Sequence, residues 1–69
     1  MIRTEIIQKV RKKGDWTFNW QEIHGFFWGN NIEQGIEQWA NENMMYAIIT
    51  HEESPNESTI KEVTFVASR

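Results

Sequence analysis

The sequence predicts an α+β domain: three helices followed by a two-stranded antiparallel hairpin. Three observations predict it. Apolar residues recur at helical spacing in successive stretches up to about residue 42. From Met44 onward the period falls to two, in two runs separated by a polar turn that holds the sole proline. The chain has 69 residues and no cysteine, so one small core must be held by packing alone.

The first helix is expected at about residues 4–13. Thr4 suits the N-cap, and Ile6, Ile7 and Val10 form the apolar face, with Ile2 just ahead. Glu5 in the first turn and Arg11, Lys12 and Lys13 in the last match the helix dipole, and Gly14 is a left-handed stop. Residues 15–18 read as a short extended stub. Asn19 and Glu22 then resemble a capping box, opening a second helix at about 20–28 that buries Trp20, Ile23 and Phe27. Gly25 weakens this helix and Gly29 ends it. Asn31 caps the third helix, with Gln34 at its N3 position. That helix spans about 32–42; Ile32, Ile36, Trp39 and Ala40 line the buried face, and Glu33, Gln34, Glu37, Gln38 and Asn41 the other. Residues 44–50 and 59–67 have strand composition, and Val63, Phe65 and Ala67 alternate with Glu62, Thr64 and Val66.

The order helix, stub, helix, helix, hairpin resembles a winged helix-turn-helix over nearly the whole chain. The rival is another three-helix α+β arrangement with the hairpin packed differently. The resemblance implies that the third helix enters a DNA major groove and that the hairpin turn, residues 51–58, is a wing on the backbone. The charge pattern departs from a DNA reader at both elements. Between Gly14 and Ile60 there is no Lys or Arg, while eight acidic residues give that stretch a formal charge of −8. Phosphate contacts from Lys and Arg dominate DNA affinity. The third helix and the wing supply none, although Gln34, Gln38 and Asn41 suit adenine edges.

The plainer meaning of Glu33 and Glu37 is a solvated helix face. Against it, two like charges at i, i+4 with no Lys between them cost a few tenths of a kcal/mol. The functional reading is a non-enzymatic protein-binding module. Its acidic face would dock on a basic partner surface, that of a nucleic-acid-binding protein, and occlude it. In size and charge the chain is similar to phage-encoded inhibitors of nucleic-acid machinery. This reading assigns the contact to Glu33, Glu37, Gln38, Asn41, Glu52 and Glu53, with Trp28 as an anchor. The alternative is a winged-helix transcriptional regulator that uses Lys9, Arg11, Lys12 and Lys13 on DNA phosphates. Those four basic residues also have the plainer role of complementing a helix C-terminus. A third reading makes Trp16, Phe26 and Trp28 a partly exposed patch for homodimerisation; the plainer one folds them into the core.

No catalytic motif is present, and so small a core leaves little room for a pocket. His24 and His51 stand 27 residues apart without a second ligand pair, so neither a metal nor another cofactor is expected, and both histidines read as ordinary surface residues. No run of 18 apolar residues predicts a spanning helix, and residues 1–5 lack the apolar stretch of a signal peptide, so the expected compartment is the cytoplasm.

Overall fold

The computed structural model describes residues 3–53 and 59–68. The elements follow in the order α1 (Arg3–Lys13), β1 (Asp15–Asn19), α2 (Trp20–Ile23), a 3₁₀ turn (His24–Phe26), α3 (Ile32–Glu42), β2 (Met45–Glu52) and β3 (Thr59–Ala67). The predicted tip of the hairpin, residues 54–58, lies outside the described residues.

The predicted two-stranded hairpin is corrected to a three-stranded antiparallel sheet of order β1-β3-β2. The stub after α1 is a full strand, pairing Asp15 with Val66, Trp16 with Phe65 and Phe18 with Val63. A hairpin alone has two open edges and one unsupported face. Here β3 lies in the middle, and the stub supplies its second neighbour from 47 residues away, where Thr17 Oγ1 lies 2.8 Å from Thr64 Oγ1.

Alternation then divides the side chains. Trp16, Phe18, Met45, Ala47, Ile49, Val63, Phe65 and Ala67 face the helices. Thr17, Tyr46, Ile48 and Thr64 face outward, and Tyr46 and Ile48 are exposed. A register shift between Thr50 and His51 makes Lys61 the extra residue of a bulge, since Thr50 pairs with Glu62 and His51 with Ile60. Strict alternation would send Ile60 outward with Glu62. The bulge returns it to the inner face, where it packs against the core.

The helices cover that inner face. α1 buries Ile6 and Val10 against β1 and β3 and ends where Gly14, at φ +93°, donates its N–H to the Val10 carbonyl at 2.6 Å. α3 buries Ile36 and Ala40 against β2. Its cap forms as the residue types require: Asn31 Oδ1 accepts from the Gln34 N–H at 3.2 Å, and Asn31 Nδ2 donates to Gln34 Oε1 at 3.1 Å.

The second helix is corrected too. It ends at Ile23, the residue after Glu22, whose carboxylate accepts the Asn19 N–H at 3.3 Å. Gly25 follows at once and removes the incentive to propagate. Phe27 is buried as predicted, but by an extended backbone (φ −131°, ψ 128°) rather than by helical phase. Phe18, Phe27, Trp39 and Phe65 close one aromatic cluster with ring centroids 5.5–6.4 Å apart.

Two substitutions test this packing. Phe65→Ala should cost about 3–5 kcal/mol, enough to unfold much of the population of so small a domain, read by urea denaturation. Gly35 lies inside α3, and an added Cβ there meets nothing within 4 Å. Gly35→Ala should therefore stabilise by up to about 1 kcal/mol, raising Tm by roughly 4–8 °C in calorimetry.

Candidate protein-docking surface

The outward face of α3 follows from its 100° step. With Ile36 and Ala40 buried, Gln34, Glu37, Gln38 and Asn41 point away from the sheet, and all are exposed. They and Glu42 line a shallow depression of about 620 Å³ along the helix. Its five lining side chains are all polar, which suits polar partner groups rather than an apolar ligand. Among the described residues no Lys or Arg forms an ion pair with any α3 carboxylate.

One side-chain contact joins α3 to β2. Glu33 Oε2 lies 3.0 Å from His51 Nε2, with both side chains part exposed. A contact so wet contributes at most about 1 kcal/mol. Its effect is positional: it brings the start of α3 beside the end of β2, where Glu52 and the following Glu53 are exposed. Glu33 and Glu37 lie on α3 with Gln38 and Asn41, whereas Glu52 alternates with Tyr46 and Ile48 onto the opposite face of the sheet. His51 follows Ala47 and Ile49 onto the helix side of β2, and only the packing of α3 over β2, invisible in local pattern, brings Glu33 to it.

Five of the six basic residues described lie on α1; the sixth, Lys61, is exposed and lines one depression with Glu52. Arg11, Lys12 and Lys13 are exposed in the last turn of α1. That turn meets the far end of the sheet, where the Ala67 N–H donates to the Gly14 carbonyl at 2.9 Å. Nine residues of β3, about 26 Å of strand, separate that end from the Glu52–Thr59 pair. Lys9 differs from its neighbours. Its Nζ sits 5.0 Å from the Trp16 ring centre and 5.8 Å from that of Phe18, and the residue is partly buried. The predicted cluster of four is therefore three exposed cations and one engaged in cation–π contact.

Of the three aromatics expected as a patch, Trp16 and Phe26 pack against the core and Trp28 alone stands out, 76% exposed. One face of Trp28 meets Arg3, whose guanidinium carbon is 5.4 Å from the ring centre. Arg3 was not singled out by the sequence; it is the one basic residue of α1 outside the run Lys9–Lys13, and nothing local shows that a connector 23 residues on will receive it. Among the described residues, no group of three or more His, Cys, Asp or Glu is placed to hold a metal ion. No described helix is long and apolar enough to cross a membrane. The chain matches no protein-family model, no curated protein and no solved structure.

Proposed function

We propose that the protein is a non-enzymatic binding module on a winged-helix type of scaffold, and that it occludes a basic surface of a nucleic-acid-binding protein. The outward side of α3 forms the docking face, in the manner of a phage-type inhibitor of nucleic-acid machinery. The observation that carries this reading is the outward row Gln34, Glu37, Gln38, Asn41 and Glu42 on α3, whose carboxylates form no ion pair with a Lys or Arg among the described residues. A carboxylate with no internal partner keeps its capacity for an external cation, and such surfaces speed association with basic partners.

Gly35 supports the same reading. Neither backbone conformation nor crowding requires glycine there, and glycine weakens α3. A bare backbone on an outward helix face lets a partner approach closely. Tyr46 and Ile48 lie on the opposite face of the sheet, the face to which Glu52 also alternates.

The alternative, a DNA-binding regulator, is favoured by the exposure of Arg11, Lys12 and Lys13. The two readings diverge in one assay. Generic duplex DNA at low salt should bind weakly; submicromolar affinity with a log–log salt slope of several units would hand the function to the α1 cluster. Reversing both Glu33 and Glu37 to Lys should weaken binding of an arginine-rich peptide about tenfold or more and strengthen any binding to DNA, as measured by fluorescence anisotropy.

A further inference from the structure

The first turn of α1 reaches across to the connector before α3 through one side chain. The Arg3 guanidinium carbon lies 4.7 Å from the ring centre of Phe27, 5.4 Å from Trp28 and 5.7 Å from Trp39. Arg3 Nε donates to the Phe26 carbonyl at 2.9 Å, and Nη2 donates to the same oxygen. No carboxylate pairs with Arg3 among the described residues. The charge is held by three π faces and one carbonyl.

We infer that Phe27, Trp28, Trp39 and the Phe26 carbonyl form a guanidinium-binding site, occupied in the unbound protein by Arg3 and taken in the docked complex by an arginine of the basic partner. The inference rests on the docking reading above and names its anchor.

Three features carry it. The ligand class is shown by the occupant: aromatic faces accept a planar cation, and the Phe26 carbonyl requires N–H donors on that cation. A trimethylammonium group has no N–H to give, and a lysine ammonium is compact and strongly hydrated. The place is right as well. On the helical wheel Trp39 lies between the buried Ile36 and Ala40 and the outward Gly35 and Glu42, so the site adjoins the docking face along the bare edge at Gly35. Finally, the occupant is replaceable. Phe27 is nearly fully buried and forms a fixed wall, whereas Trp28 is an exposed one, and Arg3 starts its helix, where the first turn frays. Held in cis, Arg3 has an effective concentration on the order of millimolar. Free arginine therefore competes poorly, and an arginine already tethered by the acidic face competes well.

The test uses the full chain. Arg3→Ala empties the site, and N-acetyl-arginine methylamide is titrated while the Trp39 indole N–H is followed by NMR. The expected result is saturable binding at least about tenfold tighter than to the unaltered protein, because the internal competitor is gone. N-acetyl-trimethyllysine methylamide should not bind, and Trp28→Ala in the Arg3→Ala background should remove the response. A folded Arg3→Ala protein with no saturable shift, or with an equal response to trimethyllysine, overturns the inference. A second measurement needs no variant. In the unaltered protein the Arg3 Nε–H resonance should lose its ring-current shift when tetra-arginine is added and keep it with tetra-lysine. If tetra-arginine binds and Arg3 does not move, the guanidinium site falls and the acidic docking face stands. If Arg3→Ala binds the arginine probe but tetra-arginine does not bind the unaltered protein, the site stands and the docking reading falls.

Discussion

Phe65 sits fully buried on the middle strand and meets aromatic rings from three other parts of the chain. Phe18 reaches it from β1, Phe27 from the extended connector and Trp39 from α3. In so small a domain the hydrophobic area available scarcely exceeds the cost of ordering the chain. Large rings arranged around one residue bury the most area with the fewest rotatable bonds. The other placements follow from this contact. Phe27 reaches the cluster as an extended residue, and that path leaves Trp28 outside. Trp39 must face inward, which turns Glu37, Gln38 and Asn41 outward. The acidic face is a consequence of how the aromatic core is filled.

The sheet order then separates the charges. β3 runs the length of the sheet between its neighbours, with the end of α1 at one end and the start of α3 near the other. Three exposed cations occupy the first end, and Glu33, His51 and Glu52 the second, where Lys61 also lies. The molecule therefore presents one basic end and one of mixed, mainly acidic, charge.

Much of this was legible in local pattern and some was not. α3 spans Ile32–Glu42, as its apolar stripe and the Asn31 cap indicated, because both signals lie within a few residues of each other. α1 and the two later strands were legible for the same reason. β1 was not, since five residues carry too little alternation to declare a strand and their partner is far along the chain. The length of α2 was misread because Trp20, Ile23 and Phe27 fit a helical period that the backbone abandons after Ile23. The acidic composition of the outward face of α3 was visible in the sequence. The Glu33–His51 contact was not, because it depends on how α3 packs over β2, and the Arg3 contact depends on a fold-level approach between α1 and the connector.

The position of β1 also sets an order of assembly. Pairing Glu52 with Thr59 closes a loop of about seven residues, whereas pairing Thr17 with Thr64 closes one of 47. Loop-closure entropy makes the second about 1.7 kcal/mol dearer than the first. The β2–β3 hairpin with α3 is thus the early unit, and β1 joins it late, bringing α1 with it through Ile6 and Val10. The same asymmetry governs opening in the native state: the segment that closes last is the one whose release frees the most chain entropy. That segment holds Arg3, Lys9, Arg11, Lys12 and Lys13, five of the seven cations of the chain. Partial unfolding would therefore divide the protein by sign, leaving behind a hairpin and helix that carry most of its negative charge.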